Sequence, residues 1–368
     1  MRRIALAAAA VLLLAGTTTK SHAQDLLIGT LLPLTGPGSA TGTEQQRGVD
    51  LAIKHINAKG GVNGRMLKAV VEDSTGRPDQ AVLGFNRLTD LNKVPVVMSA
   101  YSSVTLAIDP LAARKKVLVV NSGAQSDQLA DASPYLINTI PQIRGEAEYL
   151  AKFVFEKLGK TAALLYENAS AGRSGRDGFA KAFEALGGKI VADEPTEFGQ
   201  TNYRPALLSI KASGAEVLYI AVTQNFAAIA EQASQIPGFP DVVGNTFSTP
   251  FFGKRGAEGW YNTTVISKIP PALEAEFKST YKVDFFEVQS REYYNTVYII
   301  AAAMKKVLDD GKEVDGTNLR DAILAIGNFK SDIADITFEN SNTAKRPIAI
   351  EKNGATERIA VDYTPAAK

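Results

Sequence analysis

The sequence contains no cysteine, only two histidines and a single tryptophan among its 368 residues. Without cysteine the protein has no disulfide framework, no thiolate chemistry and no lipid-modified cysteine. His22 lies in the N-terminal segment, which leaves His55 as the one histidine of the remaining chain. The absence of cysteine excludes Cys–His catalysis, and the lack of a second histidine argues against a histidine-based metal site. We expect neither a metal nor a cofactor.

Long hydrophobic runs are also scarce, and the one that is present lies at the N-terminus. Arg2 and Arg3 precede an apolar run from Ile4 to Gly16, and small residues at Ser21 and Ala23 flank His22. This run is too short to span a bilayer, and the small residues fit a cleavage site. The sequence predicts a cleaved signal peptide at residues 1–23, a periplasmic location and no insertion of the remaining chain into the membrane.

No excess of one charge is present. Loss of Arg2, Arg3 and Lys20 with the signal peptide brings the 40 basic residues to 37, against 39 acidic residues. This balance excludes the electrostatic footprint expected for a nucleic-acid-binding protein. The remaining 345 residues, 45% hydrophobic and 21% charged over the whole chain, suit two globular domains better than one.

Short β-branched runs alternate with amphipathic stretches in a first series. Predicted strands are 26–32, 67–72, 94–98 and 117–120, and predicted helices are 44–58, 78–91 and 104–114. The alternation restarts near Ile143. Its helices are 145–158, 175–186, 203–212 and 226–235, and its strands are 162–166, 189–193 and 217–221. Helices 273–281, 293–308 and 318–326 and strand-like runs 333–338, 347–351 and 358–361 complete the chain.

This alternation predicts an α/β fold class with two doubly wound, mostly parallel sheets. Two such lobes form a cleft, and clefts between domains are common sites for small ligands. In open α/β sheets the ligand lies beyond the carboxyl ends of the strands.

Two predicted strand ends of the first lobe are rich in small hydroxylic residues. One strand runs into Ser99–Thr105 and includes Tyr101, Ser102 and Ser103, and the other runs into Asn121–Ser126. A serine at a helix start is often only an N-cap. The two loops together favour an anion site, since hydroxyls and helix N-terminal N–H groups suit a carboxylate.

The opening of the chain resembles the leucine/isoleucine/valine-binding proteins, the type I periplasmic receptors of branched-chain amino-acid ABC importers. The resemblance rests on Gly29–Pro37, Gly48–Ala52, Ile56–Arg65, Glu72-Asp73 with Pro78, and Ala257–Gly259. It implies two lobes joined by three crossovers, with residues 24–143 and 262–345 in the first and 144–261 and 346–368 in the second. It also implies a small-molecule ligand held by lobe closure, a permease partner and a monomer.

The resemblance further implies site residues. Ser102 matches the serine that meets a ligand carboxylate, Gly123 matches a backbone contact, and Gln125 stands where relatives place threonine. Thr246 occupies the position of the acidic residue that pairs with a ligand ammonium. Thr41, Ala171 and Thr223 replace tyrosines that line the relatives' pocket.

These departures favour a ligand without an ammonium group, because burying an unpaired charge costs several kcal/mol. Aromatic residues near the expected cleft suggest that the ligand is an aromatic or apolar carboxylic acid. Ordinary packing is the alternative role for each of these residues. They are Tyr101, Phe226, Phe247, Phe251 and Phe252. A branched-chain or other amino-acid or amide ligand is the alternative. Arg144, Arg173 and Arg176 are read as solvated, with a carboxylate clamp or a permease contact as alternatives.

Two stretches that are similar to nucleotide-binding motifs of enzymes do not match the residue spacing of those motifs. Gly36-Pro37-Gly38 has its third glycine at Gly42, one position late for a dinucleotide fingerprint, and Gly159-Lys160-Thr161 precedes a strand instead of following one. We therefore predict a solute receptor that is not an enzyme. A periplasmic sensor co-receptor on the same fold is the remaining alternative, and it would be expected to continue into a membrane span.

Overall fold

The structure, a computed structural model, describes residues 24–130, 132–246, 256–339, 341–354 and 358–365. The predicted signal peptide lies outside these residues. Two separate sheets, each covered by helices, organise the described chain. The predicted α/β class with two doubly wound lobes is confirmed.

The first sheet has five parallel strands in the order β2-β1-β3-β4-β5. They are β1 (Leu26–Leu32), β2 (Leu67–Asp73), β3 (Val96–Ser99), β4 (Leu118–Asn121) and β5 (Leu136–Asn138). The connecting helices are α1 (Ser39–Ala58), α2 (Pro78–Asn86) and α3 (Ser102–Lys115). The central strands β3 and β4 are buried along their whole length, as expected for parallel strands covered on both faces.

The second sheet has seven strands in the order β14-β13-β10-β9-β8-β6-β7. Its parallel part consists of β6 (Thr161–Glu167), β7 (Lys189–Thr196), β8 (Val217–Ala221), β9 (Asp241–Gly244) and β10 (Tyr261–Val265). Helices α4 (Ile143–Phe153), α5 (Ser170–Ala185), α6 (Arg204–Ala212) and α7 (Phe226–Ser234) accompany these strands. The antiparallel strands β13 (Ile348–Asn353) and β14 (Arg358–Val361) complete the sheet, after the two-stranded pair β11 (Asn328–Phe329) and β12 (Ile336–Thr337).

Three further helices return to the first sheet. They are α8 (Pro271–Tyr281), α9 (Val288–Asp309) and α10 (Gly316–Ile326). One continuous core joins the apolar faces of α1, α9 and α10 to strands of the first sheet, with Val49, Val297 and Leu319 fully buried. None of the helices in the described part of the chain combines the length and apolarity needed to cross a membrane.

The chain passes between the two sheets three times, and the start of α9 links the three passages, the first of them through Arg346. Thr139 lies on the first, Ser267 on the second and Arg346 on the third. Arg346 donates to the Thr139 carbonyl (3.2 Å) and to Glu292 of α9, while Arg291 of α9 donates to Ser267 Oγ (3.0 Å). The three connections are therefore tied to one point.

Several helix and strand boundaries in the structure differ from the predicted ones. Helix α1 begins at Ser39, not Glu44, because a 3₁₀ turn at Gly36–Gly38 leads directly into it. Strand β10 pairs with β9 and β13, so the chain leaves the second sheet after Val265 and not at the predicted residue 261. Strands β5, β9 and β10 were not predicted. They are short, and β10 buries the polar residues Asn262–Thr264, which breaks the apolar pattern.

Candidate functional site

The loops that follow the strands of both sheets face each other across a cleft. Tyr101, after β3, donates its hydroxyl to the carbonyl of Thr223, after β8 (3.4 Å). Ser126, beyond β4, and Ser174, in α5, have their Oγ atoms 3.4 Å apart. Both contacts join a carboxyl-terminal strand end of one lobe to the other lobe. The cleft therefore lies where open α/β sheets bind ligands, and the lobes touch across it.

Helix N-termini at this cleft lack side-chain caps. Helices α3, α5 and α7 begin at Ser102, Ser170 and Phe226, and in none does the side chain of the N-cap residue accept from the first-turn N–H groups. The other described α-helices are also uncapped except α10, where Asp315 accepts from Asn318 N (2.8 Å). Uncapped N–H groups and the positive end of a helix dipole favour an anion.

Tyr101 has an unusual backbone at the start of α3. Its φ of 62° is rare for a bulky side chain and is typical of strain retained at functional positions. The side chain is 6% exposed, its ring packs edge to face with Phe198 with centroids 6.0 Å apart, and its hydroxyl lies beside Thr41. Burial, followed by the nearby charge of Glu167, raises the pKa of Tyr101 well above its ordinary value. A Cβ on Gly38 would lie 2.7 Å from this hydroxyl, so the turn needs glycine there.

Ser102 occupies the first position of α3 and is 4% exposed. Its Oγ accepts from Ser126 N (3.0 Å), which ties the β3 and β4 loops together. Among the described residues no acceptor takes its own hydroxyl hydrogen, so Ser102 can donate to a carboxylate. Ser103, half-buried, follows on the next helical position.

Gly123 and Gln125 lie on the β4 loop but differ in what they contact. Gly123 N donates to Asn121 Oδ1 (3.2 Å), and a Cβ there would come within 2.9 Å of Tyr293 Oη. Gln125 Nε2 donates to the Pro141 carbonyl (3.2 Å) and to Glu146 Oε1 (2.7 Å). Both hydrogens of the Gln125 amide are therefore used within the protein.

Glu146, in the first turn of α4, is a fully buried carboxylate that sequence reasoning missed. Its Oε2 accepts from Thr246 N (2.9 Å), Thr263 Oγ1 (2.6 Å) and Asn245 Nδ2 (3.3 Å), in addition to the Gln125 contact on Oε1. The sequence suggested that no acidic side chain lies at the Thr246 position, and the structure corrects this. An acid from another element is present beside it, and protein donors hold both of its oxygens.

Glu167, the last residue of β6, is a second buried acid at the cleft, and it is 4% exposed. Its Oε2 accepts from Thr223 Oγ1 (2.6 Å) and Thr223 N (3.4 Å). Burial raises the pKa of the Glu167 carboxyl, and hydrogen bonds from Thr223 and Gln224 only partly oppose this. The Gln224 Oε1 is buried and has no hydrogen-bond partner among the described residues. An acid directly after the predicted strand 162–166 was the signal that could have identified Glu167.

The other predicted site residues have separate surroundings. Ala171 is buried in the first turn of α5, next to the cleft. Phe226 packs in the second-lobe core with Ile220 and Ile229, so its ring belongs to that core. Phe247, Phe251 and Phe252 lie outside the described residues.

The predicted arginines are engaged at the surface. Arg144 Nε pairs with Asp127 Oδ2 (2.6 Å), and Arg176 pairs with Asp177 (2.9 Å) and Asp193. Arg173 donates to the carbonyl of Asn168 (3.1 Å). No cluster of three or more potential metal-ligating side chains occurs in the described ranges. The site is thus a cleft with hydroxyl and N–H donors on one side and buried acids on the other.

Known proteins share this architecture. Residues 26–352 match the family described as periplasmic binding protein. A leucine-, isoleucine-, valine-, threonine- and alanine-binding protein of Pseudomonas aeruginosa is 25% identical over 349 residues, covering 91% of this chain and 92% of that relative.

Two solved structures are similar in fold. One is a solute-binding protein of an ABC transporter from Rhodopseudomonas palustris in complex with 3,4-dihydroxybenzoic acid, with a TM-score of 0.83, 20% identity and coverage of 94% of this chain and 98% of that chain. The other is a branched-chain amino acid transporter substrate-binding protein from Streptococcus pneumoniae in complex with isoleucine, with a TM-score of 0.81, 21% identity and coverage of 92% and 99%. The resemblance inferred from the opening motifs is confirmed at the level of the family: the chain belongs to the periplasmic binding protein family, and its relatives include proteins that bind leucine, isoleucine and valine.

Proposed function

We propose that this protein captures a small organic carboxylate, with an aromatic or apolar body, by closure of its two lobes and delivers it to the membrane permease of an ABC importer. The observation that carries this proposal is Ser102, whose free hydroxyl hydrogen stands at the uncapped N-terminus of α3. A carboxylate there receives a hydroxyl and helix N–H groups as donors.

The apolar body of the ligand is supported by the aromatic pair Tyr101 and Phe198, which meet across the cleft. Burial of an aromatic ring of about 150–250 Å² at about 25 cal/mol per Å² contributes roughly 4–6 kcal/mol before ordering costs. The ligand carboxylate fixes the orientation of the ligand, and burial of its ring supplies affinity. Because only the closed state contacts the ligand from both lobes, ligand binding favours closure. The permease can then recognise the closed conformation.

An amino-acid or amide ligand is the second candidate, and Glu167 favours it, since a buried carboxylate can pair with an ammonium. The first candidate is preferred on two grounds. Glu146, beside Thr246, already has donors from the protein on both oxygens. Burial raises the pKa of Glu167, so its ionised form is disfavoured in the absence of a cation.

Calorimetry of the purified protein tests the proposal. We expect a binding signal with benzoate or a dihydroxybenzoate and a much weaker one with leucine and isoleucine. Mass spectrometry of the solute that copurifies with the periplasmic protein gives an independent answer. Tight binding of leucine without any response to aromatic acids would overturn the proposal in favour of the amino-acid ligand.

A further inference from the structure

One aromatic side chain of the second lobe packs against the core of the first lobe. Phe198 follows β7 and is half-buried. It packs against the first-lobe cluster that contains Leu31, Phe85 and Tyr101. In the described part of the chain, neither core cluster of the second lobe includes it. The packing of Phe198 is therefore a contact between the lobes.

The first lobe receives this ring at a closely fitting place. Gly76, beyond β2, comes so near that a Cβ on it would lie 2.7 Å from Phe198 Cζ and 3.0 Å from Tyr101 Cε2. The rings of Tyr101 and Phe198 pack edge to face, with their centroids 6.0 Å apart. The next residue, Gly199, also adjoins the first lobe, since a Cβ on it would lie 3.3 Å from Pro37 Cγ. We call the packing of Phe198 against Gly76 and Tyr101 the closure contact.

The closure contact joins loops that belong to different sheets, so opening of the lobes as proposed above would break it. Burial of an apolar ring and edge-to-face pairing stabilise the state in which they occur. The apparent affinity of a two-state receptor is reduced when its binding-competent state is only partly populated. A contact between the lobes therefore raises the affinity for every ligand by the same factor, because it is made without the ligand.

We propose that Phe198 is a positioning residue for ligand capture, which stabilises the closed state through the closure contact and does not select among ligands. This inference rests on the lobe closure in the proposed function and adds a contact between protein groups to it. Its role differs from that of Ser102, whose hydroxyl is assigned to the ligand carboxylate.

The first test is calorimetry of Phe198→Ala with two carboxylates of different shape, benzoate and hexanoate. We expect both dissociation constants to rise by the same factor, roughly tenfold, because the closed state loses an aromatic contact. Phe198→Leu, which keeps an apolar side chain, should recover part of the loss. Phe239→Ala is the matched control, since Phe239 is half-buried against the second-lobe core, and both affinities should stay unchanged. A loss confined to benzoate assigns Phe198 to the ligand and overturns the inference.

The second test needs no ligand and uses the absence of cysteine from the chain. Ser126 and Ser174 lie on opposite lobes with their Oγ atoms 3.4 Å apart, so a cysteine pair at these positions forms a disulfide when the lobes meet. Oxidised glutathione supplies the oxidant, and the loss of free thiols gives the rate. We expect Phe198→Ala to slow this reaction several-fold in the Ser126→Cys, Ser174→Cys background, and Phe239→Ala to leave it unchanged.

The outcomes separate the two proposals. An unchanged rate of disulfide formation in Phe198→Ala overturns the inference, whichever ligand the protein binds. Slower disulfide formation without binding of either carboxylate overturns the proposed ligand and leaves the closure contact in place. Circular dichroism shows whether each variant is folded. Gly76→Ala places a Cβ against the same ring and should slow the reaction likewise, so it decides the question if Phe198→Ala does not fold.

Discussion

Arg346 and Glu292 form an ion pair whose side chains have no exposed surface, with Nη1–Oε2 at 2.7 Å and Nη2–Oε1 at 3.2 Å. The pair joins the third passage between the sheets to α9. Two parallel contacts in this fork geometry are the strong form of an arginine–carboxylate pair. Its surroundings are as important as its geometry, since a buried charge that loses its partner is strongly destabilising.

We expect Glu292→Gln to lower the free energy of unfolding by about 3–5 kcal/mol, because it leaves Arg346 charged and buried without a counter-ion. The measurement is the midpoint of urea unfolding. Lys345→Ala, which removes the neighbouring exposed pair with Glu339, is the control and should change stability by less than about 1 kcal/mol. Equal midpoints for Glu292→Gln and the unaltered protein would contradict the assigned role of the pair.

Ser102→Ala is expected to weaken ligand binding by roughly 1–2 kcal/mol, because the ligand carboxylate loses a hydroxyl donor. Isothermal titration with the tightest aromatic acid measures the change. Ser279→Ala, an exposed serine on α8, is the control and should bind as the unaltered protein does. Unchanged affinity in Ser102→Ala removes Ser102 from the site.

The raised pKa of Glu167 makes stability depend on pH in a defined direction. Tyr101, Tyr203, Gln224 and Glu197 face this carboxyl. Its contribution is fully present below the ordinary pKa of 4.5 and is lost as pH rises through the folded-state pKa, because the unfolded chain ionises first.

We therefore expect the stability of Glu167→Gln relative to the unaltered protein to increase with pH above about 4.5. Melting temperatures of both proteins across a pH series measure this difference, and Glu197→Gln shows whether another glutamate on the neighbouring loop gives the same trend. A difference that falls with rising pH would mean that Glu167 is stabilised as the anion.

The lowered pKa of Asp73 makes stability depend on pH in the direction opposite to that of Glu167. Burial alone would raise the pKa of its carboxyl, but donors from Thr35, Thr75 and Leu34 outweigh burial and lower the pKa below 3.8. Its stabilisation is present above pH 3.8 and is lost as pH falls through the folded-state value.

Asp73→Asn should therefore be less stable at neutral pH, with the deficit vanishing toward acid pH. Asp241→Asn, an exposed site at the start of β9, is the control. Thermal melts at neutral and acid pH measure both variants. A deficit in Asp73→Asn that persists at acid pH would show that the lost contacts do not depend on the charge.

The sequence predicted the longer elements whose apolar pattern is regular, and it missed the short strands β5 and β9 and the polar strand β10. Strand β1 was predicted to the residue because its run is apolar. Strand β10 was missed because Asn262, Thr263 and Thr264 are buried and hydrogen-bonded instead of apolar.

Some residues of the candidate site could likewise be predicted from the sequence and others could not. Ser102 and Tyr101 were predicted because their loop directly follows an apolar strand. Glu146 was not, because it reaches Thr246 from α4, 100 residues away in sequence. Contacts between residues so far apart depend on the packing of the two lobes, which no local pattern encodes.

The linkage of all three inter-sheet connections through Arg291, Glu292 and Arg346 has a consequence for affinity. If the lobes open and close as proposed, they pivot about this point, and the energy difference between the open and shut forms is set partly there. Replacements at this point would retune how strongly the receptor retains its solute without altering any atom that the solute meets. Selection could thus adjust uptake to scarcity or abundance and leave recognition as it is.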